Sequence, residues 1–498
     1  MSWQVGDIIE DQYRIGRVFT GGGMGVVYSA RHLAWGIDVA IKHPRPELLK
    51  SAEQRHDFEK ECETWSRLGL HPYLATCFYT RQIGGLPCVV AEFVEGGSLR
   101  DWIVARQLYA GENAVVIARI LRTATAMAWG LDQAHNTGLI HCDMKPGNVL
   151  MASDGMAKIT DFGLAKVLSG KGGGAAAAGL TAAYASPEQV HHDPLTRATD
   201  VWSWAASVME MFMGGIHWQS GPVAGAALEE FGNLGRKSVG LPGMPGAVFD
   251  LLARCFHQRP EHRPGSFAPI AEELREIYKE QFDEPCDAEK PDLELLAADS
   301  LNNRAVSLLD IGRDADAEDL IRQALRIDPH HPEAIFNLAV ICKSRNEEAE
   351  SWAIPHLRIA ADAEPGNPAP VKLLAQIFSF WDRRDEAERC FDEAKQRAWT
   401  SAEKAEIDEL RSRDRRKHMA FVFAKPRSGS DFCADMVRFR RLMDKAERAI
   451  AENRGADARR YAQMSADVEG FARHPRLSRV LARLKDYHLS ARSPMGPR

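Results

Sequence analysis

The sequence predicts an α+β domain of two lobes, followed by an all-α domain of repeated helical hairpins. Residues 13–280 mix strand-like and helix-like patterns and start with two apolar runs that flank a cluster of glycines. Residues 281–297 contain the acidic stretch DEPCDAEKPDLE, whose two prolines are typical of a linker. Residues 298–401 repeat a helical pattern with a period of about 34 residues.

Composition narrows the class of protein. The 498 residues are 45% hydrophobic and 27% charged, which is ordinary for packed globular domains. The nine cysteines form no closely spaced pairs, so we expect reduced thiols in a cytoplasmic protein, without a zinc site or disulfides. The longest apolar stretch, Ala114–Leu131, is interrupted by Arg119 and Arg122, and we expect no transmembrane segment.

Charge is distributed unevenly along the chain. Residues 402–498 carry 23 Lys and Arg against 14 Asp and Glu, a net charge of +9, whereas the whole chain carries −6. Such a basic segment can contact nucleic acid or an anionic membrane. The segment can instead be a solvated helical surface or dock on the acidic remainder of the chain. We prefer these two interpretations over contact with nucleic acid or a membrane. We therefore expect a basic helical extension that caps the repeats, and no nucleic-acid partner.

The glycine cluster lies in the stretch RVFTGGGMGVVYSA, which indicates strand, turn and strand. Glycines have no Cβ atom, so their backbone N–H groups can approach phosphate oxygens. About twenty residues further on, the strand DVAIK ends at Lys42, at the distance needed to reach the α- and β-phosphates. A buried lysine needs a carboxylate partner. The next helical segment offers Glu61, with Glu59 and Glu63 as alternatives.

A contact with adenine is predicted in the stretch PCVVAEFVEGGSL, which indicates a buried strand that ends in a glycine linker. Backbone groups of Glu92 and Val94 can hydrogen-bond the base there.

The stretch HCDMKPGN holds the candidate catalytic residues. Asp143 is placed to accept the proton of a substrate hydroxyl, and Lys145 to neutralise the γ-phosphate. Thirteen residues past Asn148, the stretch ITDFGLAK supplies Asp161. Asn148 and Asp161 provide hard oxygen ligands, which suit Mg²⁺.

The chain resembles the eukaryotic-like serine/threonine protein kinases, and its bacterial members above all, through motifs in the family's order: GGGMGVVY, VAIK, HCDMKPGN, DFG, SPE and DVWSWA. The resemblance covers about 265 residues and implies a bilobal protein-kinase fold that uses ATP and Mg²⁺. It departs from the family at Thr20, where the first flap glycine is expected. The ATP contacts it implies, with those argued above, are Phe19, Thr20, Gly21, Gly22, Gly23, Met24, Gly25, Val26, Val27, Ala40, Lys42, Glu92, Val94 and Leu150.

The resemblance also implies a platform for a protein substrate. Thr181 would lie in the substrate-facing loop, beside the catalytic aspartate and Lys145. Glu188 would pair with Arg263, and Asp200 would anchor the backbone of the catalytic loop.

Cys142 replaces the arginine that usually precedes the catalytic aspartate in this family. That arginine pairs with a phosphate on the activation segment, and a thiol carries no positive charge. Residues 170–180 of this segment contain no Ser, Thr or Tyr. We therefore predict that phosphorylation of this segment does not switch activity. Two alternatives stay open: a phosphate on Ser169 or Thr181 could bind another arginine, and Cys142 could be a redox sensor.

The C-terminal periodicity aligns from Ala298, Pro332 and Pro368. Small residues recur at the eighth position and large apolar residues at the fourth, so paired helices can approach closely and neighbouring hairpins can interlock. The pattern resembles three tetratricopeptide repeats, which implies a groove for a protein or peptide partner. The third repeat has Trp399 in place of its closing proline, so its last helix is predicted to continue into residues 402–498.

The preferred function is transfer of the ATP γ-phosphate to a protein serine or threonine, with the repeats binding a substrate or partner. A pseudokinase scaffold acting through its repeats is the alternative, supported by Thr20 and Cys142. The presence of Lys42, Asp143 and Asp161 argues against it. A small-molecule kinase of similar fold is a further alternative, and the SPE and DVWSWA motifs argue against that one.

Overall fold

The chain divides into two units, Met1–Leu293 and Glu294–Arg498, in this computed structural model. The structure describes residues 3–19, 25–33, 36–44, 65, 68–84, 86–162, 166–167, 182–234, 240–293, 296–310, 313–345, 347–398 and 400–415, with single positions between 428 and 462.

The first unit begins with an antiparallel sheet whose described strands run in the order β1-β2-β3-β4-β6-β5. Alternation of apolar residues along these strands buries one face, where Tyr13, Tyr28, Ile41 and Val90 form the core. The strands are β1 Ile8–Ile9, β2 Tyr13–Phe19, β3 Gly25–His32, β4 Ile37–Pro44, β5 Cys77–Ile83 and β6 Leu86–Glu92.

Helices dominate the rest of the first unit. Their core includes Trp202 and Trp204, which are fully buried. Two described strand pairs, β7 with β10 and β8 with β9, carry the turns that hold the candidate site. The helices are α1 Leu99–Val104, α2 Asn113–Asn136, α3 Pro187–His191, α4 Arg197–Met213, α5 Ala224–Asn233, α6 Gly246–Cys255 and α7 Phe267–Phe282. The strands are β7 Leu139–Ile140, β8 Val149–Met151, β9 Ala157–Ile159 and β10 Lys166–Val167.

Helix α2 is the one helix among the described residues that is long and apolar enough to cross a membrane. This test rests on length and composition alone, and core helices also pass it. Within the fold, 67% of its most apolar window is buried. The helix packs against α4 and α7 and against β9.

The second unit is helical wherever the structure describes an element. Each helix packs on the next along the chain, around a core in which Ala305, Ala339 and Ala375 are fully buried. The helices are α8 Ala297–Asp310, α9 Asp314–Ile327, α10 Pro332–Ser344, α11 Glu350–Ala363, α12 Ala369–Phe380, α13 Arg384–Arg397 and α14 Ser401–Arg415. A mixed domain followed by a large helical region is therefore observed, as predicted.

The prediction that the last helix of the third repeat continues into the tail is wrong. Helix α13 ends at Arg397, and Ala398 is extended, with φ −68° and ψ 131°. A new helix starts because Thr400 and Glu403 cap it reciprocally: the Glu403 N–H donates to Thr400 Oγ1 at 3.0 Å, and the Thr400 N–H to Glu403 Oε2 at 2.8 Å. Most of the predicted cap at residues 402–498 lies outside the described residues.

Candidate active site

The flap is formed by β2 and β3, which pair in antiparallel register with Phe19 opposite Val27. Gly25 opens β3 opposite Pro44, and Val26 follows opposite His43. The turn between the two strands lies outside the described residues, and so do six of the predicted site residues and the substrate-loop threonine: Thr20, Gly21, Gly22, Gly23, Met24, Glu61 and Thr181.

Lys42 lies on β4 opposite Val27 of β3 and Val89 of β6. Side chains two positions apart on a strand share a face, so Ala40 lies on the same face as Lys42. The lysine side chain is 12% exposed, and its Nζ donates a hydrogen bond to Asp161 Oδ1 at 2.5 Å. A strand of the sheet and the loop after β9 thus meet at one ion pair.

The segment after β6 crosses to the helical lobe. Glu92, the last residue of β6, and Val94 in the segment itself are both buried. Gly96 is required because a Cβ atom would lie 2.2 Å from the carbonyl oxygen of Met151. This close approach places β8 next to the segment. Strand β8 carries Leu150, which forms an antiparallel β-bridge with Ser98.

The Glu92 side chain forms a contact that the sequence reasoning missed. The ammonium of Lys158 on β9 lies 3.3 Å from Glu92 Oε2, and both side chains are at most 5% exposed. The same carboxylate oxygen accepts the backbone N–H of Thr76 at 3.2 Å. This buried pair joins the segment between the lobes to the strand that precedes Asp161.

The catalytic loop is held by a fully buried carboxylate. Asp200 accepts the backbone N–H groups of His141 and Cys142, each at 2.8 Å, and lies 2.7 Å from His135 Nε2. Asp200 stands in the first turn of α4, which begins with a capping box at Thr196. The predicted anchoring of the loop by Asp200 is therefore confirmed.

Within the loop, three predicted residues lie together. Lys145 Nζ donates to Asp143 Oδ2 at 2.6 Å. Asn148 Nδ2 donates to the Asp143 backbone oxygen at 2.8 Å and to its Oδ2 at 3.1 Å. The carboxylate is therefore oriented by a cation and an amide.

Asp161 adopts a left-handed backbone conformation, with φ +64°, which is uncommon for a residue other than glycine. Removal from water raises the pKa of its carboxyl group, but the ammonium of Lys42 outweighs this effect by charge and hydrogen bonding. His141 and Lys145 add to it, and the pKa stays below its ordinary value. Asp161 is therefore an anion at neutral pH.

The catalytic loop contacts the backbone of Thr160, the residue that precedes Asp161. The Thr160 N–H donates to the Asn148 oxygen at 2.9 Å, and His141 Nε2 lies 3.1 Å from the Thr160 oxygen. These bonds fix the position of Asn148 relative to Asp161.

The oxygen ligands of this cleft fit Mg²⁺ bound with a polyphosphate. Among the described residues, no group of three His, Cys, Asp or Glu side chains forms a metal cluster. Magnesium is usually held by one or two carboxylates together with substrate phosphates, and the donors Asp161 and Asn148 match that pattern.

The predicted substrate platform is partly described. Arg263 donates to Glu188 Oε1 at 2.8 Å and to Oε2 at 2.9 Å, so the predicted pair is confirmed. Gln189, which the sequence reasoning did not single out, donates from Nε2 to the Cys142 oxygen at 2.7 Å. The start of α3 is thereby tied to the catalytic loop.

The same part of the chain matches known proteins. Residues 13–282, more than half of the chain, match the family described as protein kinase domain. The chain is 30% identical over 275 residues to the probable serine/threonine-protein kinase pknA2 of Bifidobacterium longum, covering 54% of this chain and 35% of that protein. It is 30% identical over 213 residues to the serine/threonine-protein kinase PknB of Mycobacterium tuberculosis, covering 41% of this chain and 33% of that protein. The chain spans about a third of the length of these relatives.

Proposed function

The chain belongs to the protein kinase family, and we propose on that premise that it transfers the γ-phosphate of ATP to a serine or threonine hydroxyl of a protein. The observation that carries the proposal is the convergence of Asp143, Asp161 and Lys42 on one cleft, through the contacts of the catalytic loop and β4. Relatives named serine/threonine-protein kinases support serine or threonine as the acceptor.

Each charged residue of the cleft has a separate role in phosphoryl transfer. Asp143, held by Lys145 and Asn148, accepts the proton of the incoming hydroxyl. Lys145 remains beside the transferred group, where it offsets negative charge. Lys42 holds the α- and β-phosphates and keeps Asp161 ionised.

Asp161 and Asn148 would hold Mg²⁺, which screens the charge of the triphosphate when bound. Phe19, Val27 and Ala40 would cover adenine from the sheet, and Leu150 would support it from the opposite lobe. The glycines 21–23 with Met24 would close over the phosphates, and Glu61 would complete the position of Lys42.

We further propose that phosphorylation of the activation segment does not switch this kinase. Cys142 is 3% exposed and its thiol contacts the Ile140 oxygen at 3.6 Å, so it offers no cation to a phosphate. Gln189 holds the Cys142 carbonyl with a neutral amide instead. Activity that falls strongly after phosphatase treatment of the purified chain would contradict this part of the proposal.

The helical region is proposed to be three tetratricopeptide repeats that bind a protein or peptide partner in a groove. Full burial of the alanines at the repeated small positions supports close helix pairing. We propose a cytoplasmic location, and the composition and cysteine spacing of the chain are its support.

The transfer reaction is tested with the purified full chain, Mg-ATP and casein as a generic acceptor protein. Asp143→Asn removes the proton acceptor with little change in size, and we expect transfer to fall about 10²- to 10⁴-fold. Asp154→Asn, in the exposed turn between β8 and β9, is the matched control and should keep wild-type activity. Phosphoamino-acid analysis should find phosphoserine or phosphothreonine.

Two outcomes would contradict the proposal. One is wild-type protein that binds ATP without transferring phosphate, which would favour the pseudokinase scaffold. The other is equal transfer by the wild type and Asp143→Asn.

A further inference from the structure

The segment 284–292, here named the strap, follows α7 and is held on the rest of the first unit by hydrogen bonds that include those from Tyr73 and Arg122. The Tyr73 hydroxyl donates to the Glu289 backbone oxygen at 2.8 Å. Arg122 Nε on α2 donates to Asp287 Oδ1 at 2.5 Å. The strap therefore bridges the loop before β5 and the central helix of the helical lobe.

The strap is docked, although its composition predicts a linker. Cys286 is 1% exposed and Ala288 is fully buried. Pro291 is buried as well. Small and apolar side chains thus face the unit, while the acidic residues between them give the linker-like composition.

Tyr73 contacts the strap through its side chain and β9 through its backbone. Its ring is fully buried beneath the strap. Its backbone oxygen accepts the Ile159 N–H at 2.9 Å, and the Ala75 N–H donates to the Ile159 oxygen at 2.8 Å. Helix α2 closes on this junction at Gly130, where a Cβ atom would lie 2.9 Å from the Tyr73 oxygen. The loop that contains Tyr73, helix α2 and β9 are therefore closely packed at this junction.

Ile159 ends β9, and Asp161 is only two residues further along the chain. The intervening Thr160 donates to the Asn148 oxygen at 2.9 Å. A displacement of Tyr73 therefore shifts the end of β9, and with it the position from which Asp161 binds Lys42.

We propose that Tyr73 is a positioning residue for the phosphoryl-transfer site, which transmits the docking of the strap through β9 to Asp161. The strap is also the covalent connection to residue 294, where the second unit begins. Undocking of the strap lowers the fraction of molecules in which Asp161 is aligned to hold Mg²⁺. The inference rests on the proposed kinase activity for its effect on catalysis, but the coupling itself is independent of that activity.

The test is Tyr73→Phe in the full chain, which removes the hydroxyl and keeps the buried ring. Hydrogen exchange of residues 157–162 should become about two- to tenfold faster, as expected for loss of one hydrogen bond. The Mg²⁺ concentration for half-maximal phosphate transfer should rise by a similar factor. Tyr109→Phe is the matched control, because the Tyr109 hydroxyl also donates to a backbone oxygen, that of Met211 at 2.9 Å.

The proposal is overturned if exchange of residues 157–162 is unchanged in Tyr73→Phe, or if the Mg²⁺ dependence is unchanged while the wild type is active. Equal effects of Tyr73→Phe and Tyr109→Phe would also overturn it, because a general loss of stability then explains both. If the wild type transfers no phosphate, the proposed function fails, and exchange alone decides the coupling.

The second contact of the strap gives an independent test. Arg122→Glu places two like charges together and should speed exchange of residues 157–162 by about two- to fivefold. Adding Asp287→Arg restores opposite charges and should return exchange towards the wild-type rate. A double variant that exchanges as fast as Arg122→Glu would contradict the role of the strap.

Discussion

Charges are placed differently in the two units. In the first unit, Glu188 with Arg263 and Lys158 with Glu92 are ion pairs in which no side chain is more than 5% exposed. In the second unit, the described Lys and Arg pairs are more exposed; in the pair of Arg313 with Asp316, for example, the side chains are 59% and 54% exposed. A buried pair of His331 with Asp299 also lies in this unit. Its core is built largely from alanines and large apolar side chains.

This difference indicates where the chemistry lies. Removing ions from water is costly, and apolar residues of similar volume often stabilise a fold at least as well. Buried charges that persist around a cleft are therefore candidates for a functional role. The first unit keeps buried Lys and Arg pairs next to the catalytic loop and β9, whereas the described Lys and Arg pairs of the second unit are more exposed and its core is largely apolar.

Removing one partner from a buried pair and one from an exposed pair tests whether the two kinds of pair differ in their contribution to stability. Arg263→Ala leaves Glu188 charged and buried, and should lower the free energy of unfolding of the first unit by about 3–5 kcal/mol. Arg313→Ala in the second unit should cost about 0–1 kcal/mol. Hydrogen exchange in each unit of the full chain, followed as urea is increased, measures the loss of unfolding free energy for both variants. Similar costs for the two variants would remove the basis of the comparison.

Packing in the second unit can be probed at Ala339, which is fully buried on α10. Ala339→Leu adds volume where helices approach closely, and should destabilise the second unit by about 1–3 kcal/mol. Ala363→Leu, at the exposed end of α11, is the control and should have almost no effect. A neutral Ala339→Leu variant would show that the small position does not set the helix spacing.

The two units should also differ in acid sensitivity through His71. Burial, with the nearby charge of Lys158, lowers the pKa of His71 to about 3. Its Nδ1 accepts the Tyr73 N–H at 3.2 Å, which requires the neutral ring. Between pH 6.5 and 3 the unfolded chain binds the proton that the folded chain excludes, so stability falls as pH falls.

From pH 7 to pH 5.5 this histidine should account for about 1 kcal/mol of lost stability in the first unit. His71→Asn keeps a hydrogen-bond acceptor and should reduce the acid dependence in that range. Urea unfolding at the two pH values, for wild type and variant, measures the difference. An unchanged pH dependence would show that His71 is not the group responsible.

The sequence predicted contacts that are contained in short motifs or implied by the family. Glu188 and Arg263 are 75 residues apart, and their pairing was implied by the resemblance. The pairs Lys158 with Glu92 and Gln189 with Cys142 were missed, since they join positions 66 and 47 residues apart without a motif that relates them. Only the fold brings such residues together.

Local signals were also missed in the less regular segments. The Thr400 and Glu403 spacing is a capping box that marks a helix start, but the absent proline favoured a continuous helix. The acidic strap resembles a linker in composition, and its docking depends on Tyr73, more than 200 residues away.

Nucleotide binding and phosphate transfer can be separated by variants of the two cleft carboxylates. Calorimetry of ATP binding with and without Mg²⁺, on wild type, Asp143→Asn and Asp161→Asn, examines the two carboxylates in one experiment. We expect that Asp143→Asn keeps Mg²⁺-dependent ATP binding but transfers almost no phosphate, and that Asp161→Asn loses the Mg²⁺ dependence. A chain that binds no ATP, or an Asp161→Asn variant with unchanged Mg²⁺-dependent binding, would contradict this expectation.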